Sequence, residues 1–361
     1  MAKTIKVGII GTGGIAGGKH MPALAKIEGV EMVAFCDIIE TKAQAAAAKY
    51  GTPDAKVYSD YTELLKDGDI EVIHVLTPND SHAEISIAAL DAGKHVMCEK
   101  PMAKKASDAK LMLEAAQRTG KKLTIGYQNR QTPEALYLKK VCDAGDLGEI
   151  YYTKALAIRR RAVPTWGVFL DGDKQGGGSL IDIGTHSLDL SLWLMNNYKP
   201  KSVMGATYHK LAGTENAANA WGAWDPAKFT VEEAAFGFIT MENGATINLE
   251  ACWAINLMDT AEAQCILAGT KAGADFKGGL RINGERFSTL YLNQIQTSSS
   301  GVAFYDSNSS DPAYEEALSW ITAVRNDTAP VVLPEQALVV SQILEAIYES
   351  AASGKAVYFD S

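Results

Sequence analysis

From the start of the chain to about residue 130, short uninterrupted apolar runs alternate with stretches whose apolar residues recur at helical spacing. Uninterrupted apolar runs are typical of parallel strands covered by helices on both faces. A glycine follows each of four helical stretches, where a residue that tolerates a positive φ readily ends a helix. The pattern predicts a doubly wound α/β domain with a parallel sheet, that is, a Rossmann fold. The predicted strands are Ile5–Ile10, Val30–Cys36, Ile70–Leu76, His95–Cys98 and Leu123–Gly126, and the predicted helices are Thr41–Tyr50, Asp60–Lys66, Ala83–Ala92 and Ser107–Thr119, followed by Gly51, Gly68, Gly93 and Gly120.

From about Glu149 onward, apolar and polar residues alternate over longer strands, as is typical of an antiparallel sheet with one open face. Asn243-Gly244 between two of these strands predicts a tight hairpin. The predicted C-terminal domain is therefore α+β, with a large, mainly antiparallel open sheet and an amphipathic helix over 335–353. We place the two domains at 1–126 and 127–361. The predicted strands are Ile150–Ile158, Val203–His209, Ala234–Thr240, Ala245–Ile255 and Ala261–Leu267, and the predicted polar loops are Leu211–Lys228 and Gln296–Pro312.

The composition argues against several classes of protein. The 361 residues include 34 Lys and Arg against 43 Asp and Glu, a net charge of −9. Because nucleic acids and anionic membranes both require local positive charge, we expect neither as a partner. No apolar run approaches the roughly 18 residues of a membrane-spanning helix, and the first residues lack the pattern of a signal peptide. Five cysteines without a C-x-x-C pair indicate free thiols, so we expect a cytoplasmic protein.

The first predicted strand ends in a glycine-rich turn. Residues 11–16 read Gly-Thr-Gly-Gly-Ile-Ala, a G-x-G-x-x-A pattern that permits a tight turn and a close approach of backbone to a pyrophosphate. The pyrophosphate would lie on the N–H groups at the start of the following helix. Asp37 ends the second strand, where a carboxylate can bind ribose hydroxyls and repels a 2′-phosphate. Because Ile38 rather than an arginine follows it, Asp37 favours NAD over NADP; the alternative is an ordinary turn with a solvated aspartate.

Three further polar clusters follow predicted strands, where ligands bind in sheets of this type. They are Thr77-Pro78-Asn79 with His82, Glu99-Lys100-Pro101, and residues 126–130. The prolines restrict the backbone and so orient the neighbouring side chains. For His82 the alternative is a histidine at a helix start that binds no ligand, and for Lys100 it is a solvated surface lysine. The predicted dinucleotide-binding residues are Gly11, Thr12, Gly13, Gly14, Ile15, Asp37, Ile38, Thr77, Asn79, His82, Glu99, Lys100 and Gln128.

Glycines at 176–178 lead into a predicted helix that carries Asp182 and His186. Residues four apart lie on one face of a helix, so the two side chains could hydrogen-bond or contact the same substrate. A carboxylate beside an imidazole orients the ring and tunes its proton affinity, which suits a general base near neutral pH. No third or fourth ligand occurs at matching spacing, so we expect no metal. The alternative is a structural Asp–His pair.

In this order, the four motifs resemble the Gfo/Idh/MocA family, which includes glucose–fructose oxidoreductase and inositol dehydrogenase-like enzymes. The resemblance covers essentially the whole chain. It implies an N-terminal domain that binds a nicotinamide dinucleotide and a C-terminal domain that binds the substrate. It also implies that Lys100 touches the reacting oxygen, that Asp182 and His186 line the substrate site, and that His186 is the acid or base. Because members of the family commonly pair through the C-terminal sheet, it implies a homodimer or homotetramer.

Two segments, 159–167 and 224–233, are similar to the members that oxidise position 3 of glucosides, including C-glycosides. Trp166, Trp221 and Trp224 could lay an apolar face against a sugar ring, or they could simply anchor loops. Arginines in the same region could bind sugar hydroxyls, although on a strand Arg160 would point away from its two neighbours. The predicted substrate-binding residues are Arg159, Arg161, Trp166, Asp182 and His186.

The sequence thus predicts an NAD-dependent oxidoreductase that oxidises a secondary ring hydroxyl of a sugar, a glycoside or an inositol. Its predicted catalytic residues are Lys100, Asp182 and His186. One alternative is a redox-neutral glycosidase or lyase, in which tightly held NAD oxidises position 3 transiently and the aglycone is eliminated. Another is a dinucleotide sensor without catalysis, which would need no proton acceptor.

Overall fold

The computed structural model describes residues 3–297 and 311–359, which form two compact units. Of the described residues, 3–128 and 311–338 belong to the first unit, and 129–297 and 339–359 belong to the second. The chain therefore returns to the first unit near its end, a feature that the hydrophobic pattern did not indicate. Most of the predicted loop Gln296–Pro312 lies outside the described residues.

The first unit contains a parallel sheet, which within the described residues has six strands in the order β3-β2-β1-β4-β5-β6. Every side chain of β4 is buried, as expected for a strand with helices on both faces. The strand order reverses between β1 and β4, and ligands of doubly wound sheets bind beyond the carboxyl ends of strands at such a reversal. The predicted α/β fold is thereby confirmed. The strands are β1 (Ile5–Ile10), β2 (Val30–Cys36), β3 (Lys56–Tyr58), β4 (Val72–Val75), β5 (His95–Cys98) and β6 (Leu123–Ile125).

Five α-helices connect these strands within residues 3–128. They are α1 (Met21–Leu24), α2 (Glu40–Tyr50), α3 (Tyr61–Leu65), α4 (His82–Asp91) and α5 (Ala106–Thr119). The prediction of a left-handed glycine after a helix is confirmed at Gly93 and Gly120, whose φ values are 78° and 65°. It is wrong at Gly51 and Gly68, neither of which has a positive φ. Gly51 is needed for space instead, because a Cβ there would lie 2.7 Å from the carbonyl oxygen of Ala47.

The second unit contains a larger sheet, which within the described residues has nine strands in the order β14-β13-β12-β11-β7-β10-β9-β8-β15. All neighbouring pairs are antiparallel except β7 and β10, so the prediction of a mainly antiparallel sheet is confirmed. The hairpin predicted at Asn243-Gly244 joins β9 to β10. The strands are β7 (Ile150–Ile158), β8 (Pro200–Tyr208), β9 (Ala234–Met241), β10 (Thr246–Cys252), β11 (Ala261–Gly269), β12 (Ala272–Asp275), β13 (Arg281–Arg286), β14 (Thr289–Gln294) and β15 (Val357–Tyr358).

The remaining helices are α6 (Pro133–Asp143), α7 (Gly172–Gln175), α8 (Thr185–Met195), α9 (Pro312–Arg325) and α10 (Pro334–Ser353). In the second unit, α8 packs Leu190 and Leu194 against Cys265 and Leu267 of β11. Burial of one leucine side chain contributes about 1.5–3 kcal/mol to the stability of the fold. This apolar layer therefore holds α8 on the sheet. No helix among the described residues has the length and apolar character needed to cross a membrane.

α9 contributes apolar side chains to the hydrophobic core of the first unit. Its residues Trp320 and Ile321 are buried in the same hydrophobic cluster as Met21 and Leu24 of α1. α9 therefore completes the core behind the helix that follows the glycine-rich turn.

Candidate active site

The glycine-rich turn has the backbone that its sequence predicts. Gly11 has a φ of 88°, and a Cβ there would lie 2.7 Å from the main-chain carbon and oxygen of Leu76, so only glycine fits. A Cβ at Gly13 or Gly14 would instead meet nothing within 4 Å, which leaves open space beside this backbone. The chain then enters a π-helical turn over Ala16–His20 that continues into α1. An open, glycine-rich backbone at a helix start fits the pyrophosphate of a dinucleotide.

Asp37, which follows β2, accepts hydrogen bonds from this turn. Its Oδ2 accepts hydrogen bonds from the main-chain N–H of Thr12, at 2.9 Å, and from the Thr12 hydroxyl, at 3.0 Å. Its Oδ1 accepts from the N–H of Ile39 at 2.9 Å. Ile38, which lies between Asp37 and Ile39 in the sequence, is 91% exposed. Asp37 is thus placed at the carboxyl edge of the sheet beside the glycine-rich turn, where the sequence predicted a dinucleotide ligand, and it also fixes the shape of that turn.

Glu99 anchors a buried charge network rather than presenting its side chain to solvent. Its Oε1 accepts from the ammonium of Lys19 and lies in hydrogen-bond contact with Nε2 of His20, both at 2.7 Å. Its Oε2 accepts from the main-chain N–H of Lys100 at 3.1 Å. Burial opposes ionisation, but the positive charge of Lys19 and the contact with His20 hold the pKa of Glu99 well below its usual range. Lys19 also pairs with Glu316 of α9 at 2.8 Å.

The His82 side chain is buried between two loops. It is 1% exposed, with Nδ1 2.8 Å from the carbonyl oxygen of Pro101 and Nε2 2.9 Å from that of Thr77. Burial lowers its pKa. The ring therefore ties the loop after β4 to the loop after β5. Asn79 is also buried, whereas Lys100 and Gln128 are partly exposed at the same edge of the sheet.

In the second unit, Asp182 and His186 lie on one continuous helix, as predicted. Asp182 belongs to a π-helical turn over Leu180–Gly184, which leads directly into α8 with His186 in its first turn. His186 is partly exposed, whereas every other residue from 177 to 194 is buried. The helix lies close to β10, because a Cβ at Gly184 would lie only 2.8 Å from the Cβ of Ala251. A histidine that reaches the surface from a buried helix is well placed to exchange a proton with a bound molecule.

Trp253, which the sequence reasoning did not single out, fixes the carboxylate of Asp182. Its indole N–H donates to Oδ2 of Asp182 at 3.0 Å, and the whole Trp253 side chain is buried. A buried tryptophan usually finds an acceptor for its N–H, and here that acceptor is a candidate site residue. Trp253 follows β10 directly, and only the fold shows that it reaches the helix.

Glu232 accepts hydrogen bonds from the main chain at the start of the same helix. Its carboxylate accepts from the main-chain N–H groups of Gly178, at 2.8 Å, and Leu180, at 2.9 Å, and from the hydroxyl of Tyr348 at 3.0 Å. Negative charge at a helix start satisfies N–H groups that otherwise have no partner. The signal in the sequence was an acidic pair, Glu232-Glu233, inside an apolar stretch.

The predicted substrate-binding arginines form protein contacts. β7 ends at Ile158, as predicted, so the three arginines follow the strand, and Arg161 pairs with Ala254 in an isolated antiparallel bridge. Arg159 pairs with Glu262, and its guanidinium lies 5.5 Å from the ring centroid of Trp221. Arg161 donates to the side-chain oxygen of Asn256 at 2.6 Å.

The three tryptophans of this region differ in exposure. Trp224 is buried and donates to the carbonyl oxygen of Ala212 at 2.9 Å, so it anchors a loop. Trp166 and Trp221 are exposed. Within residues 3–297 and 311–359, no three His, Cys, Asp or Glu side chains are arranged to hold a metal ion.

Comparison with protein families matches both units. Residues 5–127 match the model of the oxidoreductase family with an NAD-binding Rossmann fold, Gfo/Idh/MocA, and residues 139–359 match the model of its C-terminal alpha/beta domain. D-Glucoside 3-dehydrogenase of Escherichia coli K12 is 34% identical over 357 residues, which cover 98% of this chain and 97% of that protein. Inositol 2-dehydrogenase of Salmonella typhimurium is 36% identical over 203 residues, which cover 55% of this chain and 57% of that protein.

Solved structures share the fold over the whole chain. An oxidoreductase domain protein from Kribbella flavida superposes with a TM-score of 0.85 at 24% identity, covering 99% of this chain and 100% of that one. Levoglucosan dehydrogenase in complex with NADH and levoglucosan superposes with a TM-score of 0.83 at 22% identity, covering 99% of both chains.

Proposed function

The chain belongs to the Gfo/Idh/MocA oxidoreductase family of sugar and polyol dehydrogenases, and on that basis we propose that it oxidises the hydroxyl at position 3 of a glucoside with NAD. The observation that carries the proposal is His186, the one partly exposed residue of an otherwise buried helical stretch, one turn from the fixed carboxylate of Asp182. The full-length similarity to a D-glucoside 3-dehydrogenase supports the substrate class and the ring position.

The preference for NAD over NADP rests on Asp37. A carboxylate beside the ribose accepts hydrogen bonds from its hydroxyls and repels a 2′-phosphate. The exposed neighbour Ile38 offers no positive charge to compensate. The backbone of Gly13 and Gly14, with open space beside it, would hold the pyrophosphate. When bound, the nicotinamide dinucleotide supplies the acceptor for the hydride.

The side chains of the protein accept the proton of the substrate hydroxyl and stabilise the negative charge on the reacting oxygen. His186 accepts the proton of the substrate hydroxyl as general base. Asp182, whose carboxylate is fixed by the hydrogen bond from Trp253, orients the reacting sugar ring by binding a neighbouring hydroxyl. Lys100 stabilises the negative charge that develops on the reacting oxygen, an effect of about 3 kcal/mol for one well-placed donor.

The test is to follow the absorbance of NADH with NAD and a panel of glucosides, free hexoses and inositols, with His186→Ala as the control. Reduction of NAD with glucosides, absent in His186→Ala, is the expected result. Reduction with inositols alone would contradict the substrate class. Release of the aglycone without net reduction of NAD would replace the dehydrogenase with a redox-neutral glycosidase.

A further inference from the structure

Two exposed tryptophans of the second unit form a corner. Trp166 is 51% exposed and Trp221 is 45% exposed, although aromatic side chains of this size are usually largely buried. Their ring centroids are 5.0 Å apart and their planes meet at 82°. An edge-to-face pair of this kind offers two perpendicular apolar walls to a third flat group.

The two loops that carry these tryptophans are fastened to each other. The hydroxyl of Thr165 donates to the carbonyl oxygen of Trp221 at 2.9 Å. The side chain of Asn219 accepts from the main-chain N–H of Val163 at 2.8 Å and donates to the carbonyl oxygen of Val163 at 3.0 Å. The exposed rings therefore stand on a preformed support, which lowers the entropy cost of binding a ligand.

A β-bulge fixes the position of Trp221 further. β11 shifts register between Ala261 and Gln264, and Ala263 has a φ of 55°, a left-handed conformation that is unusual for alanine. Glu262, one of the two residues in the bulge, pairs with Arg159, whose guanidinium lies over the ring of Trp221. Strained backbone persists where the surrounding structure compensates for it, and here the bulge places Glu262 against the arginine that lies over Trp221.

The corner is linked to Asp182 only indirectly, through two other aromatic side chains. Trp166 contacts Phe169 with ring centroids 5.9 Å apart, and Phe169 lies 6.5 Å from the ring of Trp253, whose N–H binds Asp182. Two aromatic side chains thus lie between the corner and the carboxylate. The corner is therefore linked to Asp182 through a chain of aromatic contacts and is not part of the carboxylate's own surroundings.

We propose that Trp166 and Trp221 bind the aglycone of the glucoside, and that this aglycone is aromatic. The proposal rests on the proposed function and deepens it. An aromatic group suits the corner better than a second sugar, because the neighbouring polar groups already have protein partners. Arg159 binds Glu262 and the carbonyl oxygen of Ala162, and Arg161 binds Asn256 and the carbonyl oxygens of Arg160 and Ile255.

The experiment compares phenyl glucoside, methyl glucoside and a glucosyl disaccharide as substrates of the full chain with NAD. In the wild type, we expect a KM for phenyl glucoside about tenfold below that for methyl glucoside, the scale of one or two ring contacts. Trp166→Ala and Trp221→Ala should each remove most of this preference by raising the KM for phenyl glucoside towards that for methyl glucoside. Trp166→Phe should restore part of it. The matched control is Phe287→Ala, an exposed aromatic residue on the β13–β14 turn, which should change neither value.

Three results would overturn the aglycone site. Equal KM values for phenyl and methyl glucoside in the wild type would do so, as would better binding of the disaccharide than of phenyl glucoside. A change of subunit number in Trp166→Ala and Trp221→Ala with the phenyl preference intact would assign the corner to contacts between copies of the chain. Failure of the proposed function is distinguishable, because no glucoside would then reduce NAD in any variant.

Discussion

The indole N–H of Trp253 and Oδ2 of Asp182 are 3.0 Å apart, and this hydrogen bond joins β10's end to the helix that carries His186. Hydrogen bonds to charged groups stabilise by about 1.5–3 kcal/mol, more than most neutral ones. The bond holds the carboxylate in one orientation before any substrate binds. It makes Trp253 a positioning residue for the proposed reaction.

Trp253→Phe tests this role. The variant keeps an aromatic ring in the core but removes the donor, so we expect kcat/KM for glucosides to fall about tenfold while the affinity for NAD stays unchanged. Fluorescence titration with NAD and steady-state kinetics measure the two quantities. Trp320→Phe is the matched control, since Trp320 is buried in the first unit, far along the chain from Asp182. Equal losses of activity in both variants would show that Trp253 matters only for packing.

Replacement of the proposed proton acceptor and charge stabiliser should stop turnover without stopping cofactor binding. For His186→Ala and Lys100→Ala we expect kcat to fall at least about 100-fold, since a general base and a charged donor each contribute about that much. Binding of NAD, measured by titration, should persist in both. Full activity in either variant would remove the role assigned to that residue.

Glu99→Gln should disturb the main chain at Lys100, whose N–H donates to the Glu99 carboxylate. A glutamine places an amide near Lys19 and His20, where the structure has a carboxylate oxygen that accepts from both. We expect kcat to fall at least about tenfold and the free energy of unfolding to fall by about 3 kcal/mol or more, because the charge of Lys19 loses a buried partner. Glu71→Gln, which removes a more exposed ion pair with Lys3, should cost less than about 1 kcal/mol in urea unfolding. An unchanged kcat in Glu99→Gln would show that its contact with the Lys100 N–H has no catalytic consequence.

Asp37→Ala should weaken NAD binding and relax the discrimination against NADP, because it removes both the acceptor for the ribose and the charge that repels a 2′-phosphate. The same change also releases Thr12, so Thr12→Val serves as the control for the shape of the turn. We expect Thr12→Val to lower the affinity for both cofactors alike. Cofactor affinities of Asp37→Ala equal to those of the wild type would mean that this carboxylate does not reach the ribose.

His95 should make the protein less stable in acid. Burial, reinforced by Lys121 and Lys122 and only partly offset by Asp327 and Glu71, lowers the pKa of His95 from 6.5 to about 4. The unfolded chain therefore takes up a proton near pH 6.5 that the folded protein takes up only near pH 4. The stability that His95 contributes above pH 6.5 is accordingly lost as the pH falls through this window.

His95→Asn should remove part of this acid sensitivity. Because His95 is only half-buried, we expect about 1 kcal/mol less loss of unfolding free energy between about pH 7.5 and about pH 5, measured by urea unfolding. Asparagine can still accept from the N–H of Lys122, which bonds to Nδ1 of His95. The exposed His209→Asn serves as the control. Parallel stability curves for wild type and His95→Asn would contradict the assignment.

Much of the sheet architecture was predictable because burial shapes the sequence of a strand. β1 and β5 have the predicted bounds, since parallel strands covered on both faces require uninterrupted apolar runs. β14 was not predicted, because all six of its residues are exposed and nothing forces an alternation of apolar and polar residues. β3 was missed because its three residues are only exposed or half-buried.

The candidate site was predictable where its residues are neighbours in sequence. The spacing of Asp182 and His186 placed both on one helix, because helix geometry is local. Trp253 and Glu232 are 71 and 50 residues from Asp182 along the chain, and their contacts with this helix arise only when β9 and β10 pack beside it. The pairing of Lys19 with Glu316 spans still more of the chain.

That last pairing has a consequence for biosynthesis. The helix after the glycine-rich turn is synthesised before the second unit, but its buried lysine and core face are completed by α9, which follows most of that unit. The residues between the end of β6 and the end of α9 number about 200, and at roughly 5–20 residues per second the ribosome needs about 10–40 s to add them. For that interval the first unit is exposed with an open core and a lysine that has one of its two carboxylates. The core behind the glycine-rich turn therefore reaches its final form only after α9 has been made.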